Sequence, residues 1–376
     1  MAVYDQDEPG LSLLSMGAIS VLKHFVPRPL RPPVRRFVFT LVPSLRYAAR
    51  MRNEIQAYTA IENVHDLPLI AHYWSEKYVI PIFLPFGFRN SVEFFRNYIG
   101  RVCKDKPAST VLILSVGAGD AATEINIAEW LRENATENFA FECVDVNPYV
   151  LQRGETSAVE KGFADKFKFG TFDVNTWKPA QAYDVILAIQ SLHHFVELEL
   201  LFDKIHAALQ PDGYFLSDDM IGRNGHQRWP EALKFVQQFW RELPDKYKYN
   251  HGMKCVEKIF PNADHSEMGF EGIRAQNILP LLTKRFYFEL FVGFGNIIDI
   301  FVDRAYGPNF DPTNDWDRSF IDKVQEIDQR EIESGRVKPT HMIAAMMKKP
   351  VSHPKFYKHL SPEFCLRRPG WHFLGY

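Results

Sequence analysis

From Ser109 onward, apolar and polar positions alternate in blocks. The short apolar runs "TVLILSV", "FAFECVDV", "FKFGTFDV", "YDVILAIQ" and "GYFLSDD" are separated by stretches of helical period: "AATEINIAEWLREN", "PYVLQRGETSAVEKG" and "ELLFDKIHAAL". A short continuous apolar run is a strand buried on both faces, and helices of about 10–15 residues between such runs form βαβ units. The pattern therefore predicts an α/β fold with a mostly parallel sheet between two helical layers. "FYFELFVG" (286–293) and "THMIAAMMKK" (340–349) supply two closing strands, and Gln210-Pro211-Asp212-Gly213 predicts a turn ahead of the strand "YFLSDD".

Residues 1–105 carry little strand pattern and read as a helical N-terminal arm and cap, 106–349 as the sheet domain, and 350–376 as an ordered tail. Two helical insertions, about 221–284 and 296–337, interrupt the domain and suit a lid over a site. The stretch from Asp66 to Gly100 is aromatic-rich and helical in period, as a cap packed over a site would be. Val21 to Arg52 is basic, with no acid, and prolines at 27, 29, 32, 33 and 43 prevent one long helix. Its charge suits weak contact with an anionic membrane surface, but no amphipathic face is sustained, which favours an arm wrapped on the main domain.

Charge changes the picture little: 44 Lys and Arg against 46 Asp and Glu give no global case for nucleic acid. No apolar run approaches the ~18 residues of a membrane span. "FVFTLVPSL", after Arg35-Arg36, is short, broken by Pro43 and closed by Arg46, so it makes a poor export signal. The four cysteines are scattered, as in a cytoplasmic protein with reduced thiols.

"VLILSVGAGDAA" (111–122) holds the candidate chemistry. A strand ends at Val116, and Gly117, Ala118 and Gly119 make a turn that a ligand can approach without meeting Cβ atoms. A helix then opens near Ala121, its amides forming a weak anion site. In a parallel sheet, ligands bind beyond the carboxyl ends of the strands. "CVDVNP" ends the second strand with Asp145 and Val146, where a carboxylate can accept from a ribose diol. "GTFDVN" ends the third with Asp173 and Val174, and "LAIQSLHHF" places Gln190, His193 and His194 after the fourth.

This series resembles the class I, Rossmann-like S-adenosylmethionine-dependent methyltransferases, closely over about 109–219 and more loosely over the closing strands. The resemblance implies a seven-stranded sheet whose last strand inserts antiparallel, with S-adenosyl-L-methionine as cofactor. It places Gly117, Ala118 and Gly119 against the methionine part, Asp145 and Val146 at the ribose, Asp173 and Val174 at the adenine, and Gln190 near the sulfonium. Ser115 stands where the family often has an acid, and Ala121 where it has a third glycine. Tyr73 and Tyr78 in the aromatic cap are candidates to replace the missing methionyl contact. A nicotinamide oxidoreductase shares the glycine fingerprint but would place its ribose acid about 20 residues past the glycines, and Asp145 lies further on. A non-catalytic relative of the fold, serving as an interaction subunit, is an alternative of a different class.

Methyl transfer needs alignment, exclusion of water and, for a protonated acceptor, a base near neutral pH. His194 and His193 are the candidates, on the loop facing the departing methyl. Acceptor contacts are expected from Asp218 and Asp219 at the fifth strand end, and from His226, Arg228, Glu271 and Arg274 in the long insertion. The two arginines suit either a clamp on an acidic acceptor or salt bridges pinning the insertion. Asp218, Asp219 and His226 follow no established ligand spacing, so no metal is expected. The expected activity is methyl transfer to a small molecule, with oxygen favoured over nitrogen or sulfur.

Overall fold

The computed structural model describes residues 43–59, 67–173, 177–179, 181–267 and 269–367. The chain divides into two compact units, Met1–Ala60 and Ile61–Tyr376. The described part of the first is one helix, Pro43–Thr59. The rest of the basic arm, Val174 and the end of the tail lie outside the described residues. No helix among the described residues is long and apolar enough to cross a membrane.

Among the described residues, the second unit is built on a sheet of eight strands: β1 (Val111–Val116), β2 (Phe139–Asp145), β3 (Phe167–Thr171), β4 (Tyr183–Ile189), β5 (Leu209–Met220), β8 (Tyr287–Phe294), β9 (His341–Met347) and β10 (Lys355–Phe356). The remaining two, β6 (Tyr249–Asn250) and β7 (Cys255–Val256), make a separate small hairpin. The strand order is β10-β8-β9-β5-β4-β1-β2-β3. β9 runs antiparallel to both neighbours and every other pairing is parallel. The expected antiparallel last strand is present, but the sheet has eight strands and not seven. The tail adds β10 at the edge, a two-residue strand too short to leave an apolar run in the sequence.

β1 and β4 are apolar apart from Ser115 and Asp184, because both of their faces are covered. Ile113, Val185 and Leu216 point into one core with Phe94, Phe95 and Ile99 of helix Ser91–Asp105 and Ile125 and Leu131 of helix Ala122–Glu133. Leu114, Ile186 and Phe215 point into the other, with Phe202, Trp240, Ile278 and Phe301. Each fully buried phenylalanine contributes about 1.5–3 kcal/mol. Asn90 caps the first of these helices by accepting from Glu93 N–H at 2.9 Å, and Glu93 Oε2 reaches back to Arg89 N–H at 2.7 Å. The turn expected at Gln210–Gly213 falls inside β5 as a register jump: Leu209 pairs with Tyr183, while Tyr214 pairs with Val185.

This topology brings the carboxyl ends of β1, β2, β4 and β5 to one rim. His341, the first residue of the reversed β9, arrives beside them opposite Met220 and Phe294.

Candidate functional site

The glycine turn divides its work between two residues. Gly117 has φ +71°, and a Cβ there would lie 2.6 Å from Ser191 Cβ, so glycine lets the loop after β4 close onto β1. Ser191 Oγ seals that contact by donating to Val116 O at 2.8 Å. Gly119 has φ +57°, and a Cβ there would meet nothing within 4 Å. It faces open space, as a residue lying under a ligand should. Ala121 adopts φ +54° at the N-cap of helix Ala122–Glu133, which has no side-chain cap of its own.

Asp145 links the β2 tip to this turn. Its Oδ2 accepts from Gly119 N–H at 3.0 Å and its Oδ1 from Asn147 N–H at 2.8 Å. Burial pushes the carboxyl upward, against the lowering effect of these two bonds and the nearby His194. Asp173 follows β3, with its carbonyl accepting from Trp177 N–H at 2.8 Å. Ser115 Oγ donates to Glu124 Oε1 at 2.5 Å. A buried acid on helix Ala122–Glu133 thus stands beside Ser115, and burial raises the Glu124 carboxyl to about 7.

At the β4–β5 rim, Gln190 takes φ +49°, donates from its backbone to Asp218 O at 2.7 Å, and donates from Nε2 to Asp218 Oδ1 at 2.9 Å. Burial raises the Asp218 carboxyl to about 6, against contributions from His341 and Ser91. Asp219 is fully buried and faces the other way. It accepts from Ser191 N–H at 2.9 Å and Leu192 N–H at 2.7 Å, and its Oδ1 lies 2.7 Å from His193 Nδ1. Beyond His193, Glu271 gathers the histidines of two segments. Its Oε1 lies 2.6 Å from His226 Nε2 and 3.5 Å from His193 Nε2, and its Oε2 lies 3.6 Å from His194 Nε2. Burial disfavours charge on both partners, yet Asp219 and Glu271 raise the His193 imidazole to about 10. Against the same burial, bonds from His193 and His226 hold Glu271 well below the usual carboxylate range.

Residues 97–251, which contain β1–β5 and the glycine turn, match a family described as Methyltransferase domain. The second unit thus contains a stretch similar to methyltransferase domains, with the antiparallel β9 inserted in its sheet between β5 and β8. Among solved structures, the chain is similar to an O-methyltransferase from a trans-AT PKS multienzyme of Brevibacillus brevis with S-adenosyl-L-homocysteine. That match has 15% identity and a TM-score of 0.41, covering 77% of this chain and 85% of the other. A geranyl diphosphate methyltransferase with GPP and sinefungin is similar at 11% identity and a TM-score of 0.39, covering 69% and 78%. A plantazolicin methyltransferase with a triazolic desmethylPZN analog and SAH is similar at 14% identity and a TM-score of 0.36, covering 74% and 89%. No curated protein sequence matches the chain.

The structure corrects several expected roles. Tyr73 and Tyr78 do not offer their hydroxyls to the glycine turn: both donate to Asp322 Oδ1, at 2.8 and 2.7 Å, while Lys77 holds Oδ2 at 2.8 Å. Arg228 is not a clamp for an acceptor, because it is buried and its donors go to Asp299 Oδ2, Asn296 O and His226 O at 3.0, 3.0 and 2.8 Å. Arg274 grips Glu199 through two bonds of 2.5 and 2.7 Å and Val196 O at 2.8 Å, pinning the insertion to helix Leu198–Ala208. Asp219 is a positioning residue rather than an acceptor contact. His226 and Glu271 do come together with His193 and His194. The sequence reading missed Glu124, Ser91, Asp299 and His341. The Asp218-Asp219 doublet at a strand tip was one available signal, since adjacent strand residues face opposite sides.

Proposed function

We propose that the methyltransferase domain moves the methyl group of S-adenosyl-L-methionine to an oxygen of a small-molecule acceptor held under the insertions. The S–CH3 bond breaks as the O–CH3 bond forms, S-adenosyl-L-homocysteine leaves, and the hydroxyl proton passes to a histidine. We further place the reaction in the cytoplasm, where the free thiols of Cys103, Cys143, Cys255 and Cys365 stay reduced.

The observation that carries this reading is the contact between Gly117 and Ser191, which sets the Ser191–His194 loop directly against the cofactor turn. His194 is close enough to Asp145 for its charge to act on that carboxylate. His193 is fixed through Nδ1 by Asp219, which suits positioning, and leaves His194 as the proton acceptor. Gly117, Ala118, Gly119, Asp145, Val146, Asp173 and Gln190 bind the cofactor in this reading, and Asp218, His226 and Glu271 border the acceptor.

The test is transfer of labelled methyl from the cofactor to a small-molecule extract, with calorimetry of S-adenosyl-L-homocysteine alongside. His194→Ala should bind the product with affinity near that of the unaltered chain, while transfer falls on the order of 100-fold or more. Full activity in that variant removes His194 from the mechanism. Label appearing only in macromolecules overturns the small-molecule assignment.

A further inference from the structure

The histidines around Glu271 have a second use. His193, His226 and Glu271 each offer one ligand atom, and these atoms all lie within 4.8 Å of one another. Glu271 Oε1 is 2.6 Å from His226 Nε2 and 3.5 Å from His193 Nε2, with His194 Nε2 at 3.6 Å from the other carboxylate oxygen. Ligands bound at ~2.0–2.2 Å to one ion stand about 3–3.5 Å apart, so small side-chain adjustments close this set around a centre.

Three further features mark the cluster as a built site. First, Asp219 engages His193 Nδ1 at 2.7 Å, which fixes the tautomer and leaves Nε2 as the ligand atom. A carboxylate behind a histidine is the usual outer support of a bound metal. Second, His226 is held at φ +54°, a conformation that side chains avoid, and its buried Nδ1 has no hydrogen-bond partner. Third, the backbone around both insertion ligands is locked together. Gly225 N–H donates to Gly272 O at 2.8 Å, and a Cβ on Gly272, whose φ is +66°, would lie 3.0 Å from His226 N. Glycines at these two positions let the turns carrying His226 and Glu271 meet.

We propose that His193, His226 and Glu271 hold a divalent transition-metal ion. Imidazoles with a single carboxylate suit zinc, iron(II), cobalt(II) or manganese(II), whereas magnesium and calcium require oxygen-rich shells. Three protein ligands leave coordination positions for an oxygen of the acceptor, whose hydroxyl the ion acidifies. That role rests on the proposed function; the binding of the ion does not.

The experiment strips the full chain with a chelator and loads it separately with zinc, cobalt(II), manganese(II) or anaerobic iron(II). Bound metal per chain is then measured after gel filtration, and the visible absorption of cobalt is followed during titration. The expected result is one ion per chain, a cobalt spectrum with nitrogen ligands, and a raised melting temperature. His226→Ala and Glu271→Gln should lose the ion while keeping a folded circular-dichroism spectrum and binding of S-adenosyl-L-homocysteine. Asp219→Asn should weaken the ion about 10–100-fold. His72→Asn, an exposed histidine elsewhere, should bind as the unaltered chain does. No stoichiometric uptake of any of the four ions overturns the proposal, as does uptake that neither His226→Ala nor Glu271→Gln diminishes. Metal uptake without cofactor binding would overturn the proposed function and leave the metal site standing.

Discussion

Asp219 Oδ1 stands 2.7 Å from His193 Nδ1, so the tip of β5 grips the loop that leaves β4. Its other oxygen receives the backbone of Ser191 and Leu192. One carboxylate thereby sets both the path of the loop and the angle of the imidazole. Asp219→Asn keeps the size but cannot accept on both sides, leaving a buried donor unmatched at about 1–3 kcal/mol. Thermal melting should show a clear loss of stability. Steady-state kinetics should show a larger fall in kcat than in affinity for S-adenosyl-L-homocysteine.

The two glycines of the turn should fail differently. Gly117→Ala puts a Cβ 2.6 Å from Ser191 Cβ at a positive φ, so it forces β1 and the β4 loop apart. Both melting temperature and cofactor binding should fall. Gly119→Ala bears only the left-handed strain of about 1–2 kcal/mol, because no atom stands in its way. It should fold, with the main loss in calorimetric affinity for the cofactor. Equal behaviour of the pair would contradict an open space above Gly119.

Burial raises the Asp145 carboxyl above its ordinary range, and the Gly119 and Asn147 N–H groups oppose that rise. Asp145→Asn removes charge-assisted bonds worth about 1.5–3 kcal/mol each to a ribose diol. Product affinity should drop roughly 10–100-fold at that magnitude, and the melting temperature should fall modestly, because the amide accepts from only one of the Gly119 and Asn147 N–H groups. A variant that binds as well as the original would dissociate Asp145 from the ribose.

Glu124 offers a pH signature. Burial raises its carboxyl from 4.5 to about 7 in the folded chain, so ionisation opposes folding. The opposition is absent below pH 4.5, grows up to about pH 7 and is constant above it, reaching about 3 kcal/mol at most. Glu124→Gln keeps a partner for Ser115 and should melt higher than the original at pH 8. Near pH 5 that advantage should shrink toward nothing. A pH-independent difference would place the proton elsewhere.

The central strands were legible because both faces of β1 and β4 are covered, which leaves continuous apolar runs. Gly117, Gly119 and Asp145 were legible for a related reason: turn, carboxylate and strand end lie next to one another in sequence. β10 was not, since Lys355–Phe356 contributes two pairings and no pattern. The meeting of His226 with Glu271 was hidden by 45 residues of separation and arises from the Gly225–Gly272 backbone contact. Arg228 and Arg274 showed their charge in sequence but not their partners. Asp299 and Glu199 reach them only through tertiary packing.

The excursion between β8 and β9 leaves and rejoins the sheet on the same side. Gly295 O receives Thr340 N–H at 2.8 Å, and Thr340 Oγ1 adds a 2.6 Å bond to Asp299. Phe301, Ile321 and Val324 of this excursion are fully buried in the same core as Ile186 and Phe215, so what looks like an insertion in the chain is a wall of the domain that cannot be removed without stripping one face of the sheet.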